Sequence, residues 1–533
     1  MDNMLVMMVV MVLYLFIVGY LGYYGYKKTK NAMDYLLAGR NVHPLVMSLS
    51  YGATFISTSA IVGFGGAAAM FGMGLLWLTF LNIFVGIFIA FVFFGKRTRK
   101  IGHNLDAHTF PELLGKRYQS RFVQGFGGLV IFLFMPLYSA AVLIGAARFL
   151  EATFAPHVTF QAALLIYALI ISAYVLAGGM KGVMYSDAFQ GFVMFAGMVA
   201  LLVLTYVKLG GVVNAHQALA AMVTQVPPKL AAIGHQGWTR MPALGSNLWW
   251  TLVSTIVMGV GIGVLTQPQL AVRFMTVKSS KELNRAVASG GVFILAMTGV
   301  AFVVGALSNV YFFQNPAFGK ISMAVAEGNI DKIIPLYIKA AMPPWFMYLF
   351  MLTLLSAAMS TSSSQFHAMG TGIGRDFFER ALLRRDHSKY TILITRVGIV
   401  IGVVASLILG YKLPVGIIAV ATAIFFGLCA SAFLPSYIGA LYWKGMTRAG
   451  AITSMLVGFF GTALYLLFIH QKEAAALGLC KFIFNKPTLA TGVWMVVDPV
   501  VVILPISFIV AIVVSLLTKK PNPEHIDVCF KHV

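Results

Sequence analysis

The sequence specifies an all-α, polytopic membrane protein of about thirteen transmembrane helices. Of its 533 residues, 59% are apolar and only 10% charged, and the mean hydropathy is +0.88, far above that of water-soluble domains. The apolar runs last about twenty residues, the length that carries a helix across a bilayer. An outer-membrane barrel would instead show segments of about ten residues alternating apolar and polar. Spanning helices remain as the way to satisfy such a backbone in lipid.

In chain order the runs are 3–25, 45–70, 74–95, 122–152, 158–178, 184–207, 245–271, 288–313, 344–373, 391–411, 415–441, 449–469 and 494–517. The first is long, lacks a basic start and is followed by Lys27, Lys28 and Lys30, so it reads as an uncleaved helix rather than a signal peptide. With the amino terminus outside, 27 of the 38 Lys and Arg, including Arg40, Arg97, Arg273, Arg375, Arg385 and Lys389, fall in cytoplasmic loops. That bias predicts a multi-pass protein of the cell membrane with a cytoplasmic carboxyl terminus. The formal charge of +22 is thereby mostly topological, and a nucleic-acid partner is not expected. Cys429, Cys480 and Cys529 lack metal or redox spacing.

Two spans look interrupted. The second carries Gly52, Gly63, Gly65 and Gly66, and the seventh carries Gly259, Gly261, Gly263 and Pro268. Both residue types weaken a helix, although glycine also serves close packing between membrane helices. The two lie five spans apart, so if spans two to six and seven to eleven are two halves, each broken helix opens its half in an inverted sense, a known transporter plan.

Span nine reads Ser356-Ala-Ala-Met-Ser-Thr-Ser-Ser-Ser-Gln365. At 100° per residue the hydroxyls of Ser360, Thr361, Ser363 and Ser364 lie within an arc of roughly 160°. Several neutral oxygens gathered in this way suit a hard monovalent cation. The plainer reading is that they bond back to the preceding turn or pack a helix pair. An unwound turn within Gly52–Ser59 would free carbonyls to face them, and Asp187, at membrane depth in span six, marks an ion path or else caps its helix. Arg148 and Glu151, three apart, read as an intrahelical ion pair, and His367 as a satisfied packing residue.

Several segments, in order, resemble the sodium/solute symporter family, whose members carry proline, sugars, sialic acid, pantothenate, iodide or monocarboxylates. They are Asp34-Tyr35-Leu36-Leu37-Ala38-Gly39-Arg40; Tyr138-Ser139; Ala147-Arg148-Phe149 with Glu151 and Phe154; Ala177-Gly178-Gly179-Met180-Lys181-Gly182 with Tyr185-Ser186-Asp187; Gln267-Pro268 with Val272-Arg273-Phe274-Met275; and Ala357 to Gln365 with Asp376 beyond. The resemblance implies a five-plus-five inverted-repeat core with a broken first helix in each repeat. It divides the chain into an extra first helix and loop (1–44), repeat one (45–207), repeat two (245–441), two further helices (449–517) and a tail (518–533). It also implies sodium as the coupling ion, one or two per cycle. Carried over by position, one sodium would sit on the carbonyls of Ala53, Ile56 and Ala357 and the hydroxyls of Ser360 and Thr361. A second would use Asp187, Ser360, Ser363 and Ser364.

The substrate positions implied are Ser57, Thr58, Tyr138, Val260, Val264 and Gln267. Proline symporters offer a Trp and a Tyr where this chain has Val260 and Val264, and an acid where it has Phe55. The expectation is therefore a small organic anion such as lactate, acetate or propionate, with proline or another amino acid, pantothenate and sugars as alternatives. An ion channel is the competing class. An enzyme is not expected, since HExxH, GxSxG and phosphate-loop patterns are absent from the sequence. Oligomeric state is not readable.

Overall fold

The computed structural model describes residues 2–154, 157–384, 390–414 and 416–533. Arg385 and Lys389, counted above among the cytoplasmic basic residues, and Val415, the first residue of a predicted span, lie outside them. The helices that matter below are α1 (Asp2–Lys28), α2 (Pro44–Phe55), α3 (Ser59–Asn104), α4 (Arg121–Phe154), α5 (Phe160–Lys208), α6 (Asn247–Thr266), α7 (268–275), α8 (Ser280–Gln314), α9 (Pro344–Leu382), α10 (Thr391–Lys412), α11 (Ile418–Tyr442), α12 (Arg448–Phe468) and α13 (Pro499–Leu517).

Eleven of these are long and apolar enough to cross a bilayer. Two are too long for one crossing: at 1.5 Å per residue, the 49 residues of α5 and the 46 of α3 would reach about 70 Å, more than twice the hydrocarbon thickness. Each is turned by a glycine with positive φ, Gly179 (φ 55°) in α5 and Gly72 (φ 71°) in α3. Counting each as two crossings, and α2 and α7 as halves of broken helices, recovers thirteen. Gly179 is doubly required, since a Cβ there would also stand 2.5 Å from the Tyr35 ring.

Local chemistry sets most starts. Pro44 opens α2 behind His43, whose ring accepts from Leu45 N–H. Ser246, Thr447 and Asp498 cap α6, α12 and α13 with their side chains. The helices then nest around α9 and α11, the two most enclosed, while α1, α10 and α13 turn much of their surface outward.

The breaks lie where predicted, and Pro268 acts at the second as expected, but the glycines cause neither. In the first repeat the backbone leaves helical geometry at Ile56 (φ −92°, ψ 102°). Ser57 restarts it, its hydroxyl accepting from Ser59 N–H at 3.1 Å and its carbonyl from Ala60 N–H at 3.0 Å. The second break falls at Gln267 (φ −69°, ψ 114°), where the following proline excludes the helical region. The glycines predicted to unwind stay helical and buy proximity instead. Gly52 takes the Phe293 ring and Gly263 the Phe426 backbone. The same holds for α1, where a Cβ on Gly25 would collide with the backbone of Gly182 in α5.

Candidate ion-binding site

α2 ends against the middle of α9. Ser360 Oγ donates to Ala53 O at 2.8 Å, and Thr361 Oγ1 to Thr54 O at 3.0 Å with Ala53 O at 3.4 Å. All four residues are fully buried. The unwound turn at Ile56 follows immediately. The span-nine hydroxyls also bond back to the preceding turn: Ser360 reaches Ser356 O at 2.7 Å and Ala357 O at 3.4 Å, and Ser363 and Ser364 each reach Ser360 O at 3.0 Å. Ligand oxygens about 2.4 Å from a hard cation stand about 3.4 Å apart at adjacent octahedral corners. These carbonyl and hydroxyl oxygens therefore need to spread by a few tenths of an ångström to hold sodium. A neutral oxygen set of this kind would hold a monovalent cation without burying a net negative charge.

The neighbouring set holds a positive charge already. Asp187 is fully buried, and its Oδ2 accepts from Ser50 Oγ at 2.9 Å, Thr54 Oγ1 at 3.2 Å and Arg273 Nη2 at 2.8 Å. The same Nη2 lies 2.6 Å from both Thr54 Oγ1 and Ser364 Oγ, while Arg273 Nε reaches Ser50 Oγ at 3.0 Å. Ser363 reaches Asp187 Oδ1 at 3.4 Å. The residues expected to hold a second sodium are thus together, but a guanidinium stands among their oxygens. Arg273, read from sequence as a loop cation, is a fully buried residue of α7. Its signal was an arginine six residues beyond the Gln267 break. Asp187 is no helix cap; it lies inside α5.

The predicted substrate residues are partly convergent. Tyr138 and Ser57 hydroxyls are 3.5 Å apart, and the Tyr138 ring packs on Phe425 and Phe426 of α11. Val264 and Phe55 both lie against Gly86, so a residue beside each break shares that neighbour, and Val260 is buried in the same helix as Val264. Two residues are committed elsewhere: Thr58 Oγ1 donates to Val142 O at 2.6 Å, and Gln267 Nε2 to Gly263 O at 3.2 Å, while Gln267 Oε1 accepts from Gln269. Beside them the hydroxyls of Ser59 and Ser139 are buried without a partner. Arg148 pairs with Glu151 at 2.9 Å, and His367 Nε2 bonds Tyr35 O at 3.1 Å.

At the basic end Glu112 collects Arg375 at 2.8 Å and Lys116 at 3.2 Å. Burial opposes its charge, but those cations hold its carboxyl down to about 2. His108 beside it is pushed to about 4 by burial, against the pull of Glu112.

Two inverted units, each opened by an interrupted helix, with neutral oxygens gathered at the first interruption, are the plan of a membrane transporter. Residues 35–458 match the sodium:solute symporter family. The chain belongs to that family and is a sodium-coupled solute symporter. It is 27% identical over 498 residues to the osmoregulated proline transporter OpuE of Bacillus subtilis (strain 168), covering 93% of this chain and 91% of that protein. It is 26% identical over 511 residues to the sodium/proline symporter of Staphylococcus aureus (strain JH9), covering 93% and 89%. Its fold is similar to that of a Na+-coupled sialic acid symporter in a substrate-bound outward-open state (TM-score 0.75, 18% identity, 97% of this chain and 98% of that one).

Proposed function

We propose that the protein imports proline, or a closely related neutral amino acid, across the cell membrane with one sodium ion bound between α2 and α9. The observation that carries the ion site is the contact of Ser360 and Thr361 with the carbonyls of Ala53 and Thr54 just before the unwound turn. Ile56 and Ala357 carbonyls complete the proposed shell. Support for proline comes from the names of the two relatives, and it displaces the monocarboxylate expected from Val260, Val264 and Phe55. The second oxygen set takes sodium only if Arg273 withdraws, so the arrangement described here favours one ion.

Charge movement supports the same pairing. One sodium moving through 100 mV releases about 2.3 kcal/mol and a tenfold sodium ratio about 1.4 kcal/mol. Together they sustain a gradient of about 500-fold for a zwitterion. A monoanion carried with one sodium cancels the voltage and keeps only about tenfold. With sodium higher outside and the interior negative, both terms drive solute inward.

Purified protein in liposomes tests this reading. An inward sodium gradient is expected to drive proline accumulation that rises further with an inside-negative potassium diffusion potential. Accumulation of lactate or acetate instead, indifferent to the potential, would restore the monocarboxylate assignment.

A further inference from the structure

The extra helix α1 lies outside the two repeats, yet it reaches the sodium-binding segment of α9. The Tyr14 and Ser356 hydroxyls share a buried hydrogen bond of 2.9 Å, and Ser356 is the residue whose carbonyl accepts from Ser360 Oγ at 2.7 Å. Three residues on, Tyr174 of α5 donates to Met359 O at 2.9 Å. Two tyrosine hydroxyls from different helices therefore bracket the turn 356–360. Gln190, fully buried, has its amide beside both hydroxyls, yet neither amide atom has a partner of hydrogen-bonding geometry. Interhelical hydrogen bonds also pack membrane helices, but this polar shelf falls on the turn that carries the proposed sodium ligand. Keeping one in lipid calls for a role, since buried polar groups are costly when imperfectly paired.

The chemistry of Ser360 supplies one. Its hydroxyl has one proton and three carbonyl acceptors within reach, Ser356 O, Ala53 O and Ala357 O, besides the Met194 sulfur at 4.0 Å. To coordinate sodium, Ser360 Oγ must turn a lone pair toward the ion and away from Ala53 O, which must itself ligate. The proton then has to go to Ser356 O. Whether it does depends on how the turn of α9 that carries the Ser356 carbonyl is seated, and Tyr14 bonds the Ser356 side chain on one side of that turn while Tyr174 bonds the Met359 carbonyl on the other.

We propose that Tyr14 and Tyr174 are positioning residues for the sodium site, fixing the Ser356 carbonyl so that Ser360 presents its oxygen to the ion. α1 is by this account part of the ion-binding machinery. The inference rests on the sodium site proposed above, and its failure is separable from the failure of that reading.

The test uses sodium alone as the probe. Purified full-length protein is titrated with sodium against choline at constant ionic strength, and the rise in melting temperature gives the half-saturating concentration. Tyr14→Phe and Tyr174→Phe are each expected to raise it about fivefold, the equivalent of one net neutral hydrogen bond, with the sodium-free melting temperature little changed. Ser356→Ala removes the Tyr14 bond from the other side and serves where a tyrosine variant fails to fold. The Tyr14→Phe/Ser356→Ala double variant is expected to be no weaker than the weaker single one. Ser360→Ala, in the same titration, reports on the site itself. If it weakens sodium while both tyrosine variants and Ser356→Ala keep wild-type half-saturation, or lose only sodium-free stability, the positioning role is overturned. If Ser360→Ala leaves sodium protection intact, the site reading falls first.

Discussion

Arg273 Nη2 stands 2.8 Å from Asp187 Oδ2, with both side chains wholly enclosed. The pair ties α7, beyond the second break, to α5 and to the end of α2, through Ser50 and Thr54. It is a charged link between the two repeats, sharing Thr54 with the proposed ion site.

Removing one partner from such a pair strands a buried charge. Asp187→Asn is expected to destabilise the protein by about 3–5 kcal/mol, whereas Asp187→Asn with Arg273→Met removes both charges at similar volume and recovers most of that loss. Thermal unfolding of the purified variants measures the difference. Equal instability of the single and double variants would show that the pair does not act as a unit.

The turn at Gly179 makes a second prediction. A side chain there is strained by the positive φ and meets Tyr35, so Gly179→Ala is expected to cost at least about 2 kcal/mol and to lower folded yield. Gly291, with open space around an added Cβ and ordinary helical φ, provides the control. Gly291→Ala is expected to be neutral or slightly stabilising, and the yield of monodisperse protein compares the two.

Glu112 governs acid stability. Its carboxyl falls from 4.5 to about 2 on folding, so its contribution is complete above pH 4.5 and disappears as pH falls through 2. The shift corresponds to about 3 kcal/mol. His108, lowered from 6.5 to about 4, contributes stability that is full above pH 6.5 and is lost as pH falls toward 4. Melting temperature from pH 7 to 3 should therefore decline in two stages. Glu112→Gln is expected to melt lower at pH 7 and to flatten the lower stage, and His108→Gln to flatten the upper one.

Much of this is legible in the sequence because membrane helices announce themselves by length and apolarity, and because the unbroken run of hydroxyl residues at 360–364 stands out within an apolar span. The level of both breaks could be read, but glycine was the wrong signal. Ser57 as a restarting cap and Pro268 acting on Gln267 supply the cause, while Gly52 and Gly263 serve contact. What pattern could not show was pairing across the fold. Arg273 counted as a loop cation because its neighbours in sequence are basic, and only the return of α7 toward α2 brings it to Asp187. Tyr14 was invisible for the same reason: 342 residues separate it from Ser356.

The most direct test of the ion site is the sodium dependence of solute uptake by reconstituted Ser360→Ala and Thr361→Ala. Loss of one ligand oxygen is expected to raise half-saturating sodium tenfold or more, about 1.4 kcal/mol per decade, while solute affinity at saturating sodium stays near that of the unaltered protein. Variants that transport with an unchanged sodium requirement would place the ion elsewhere and contradict the account.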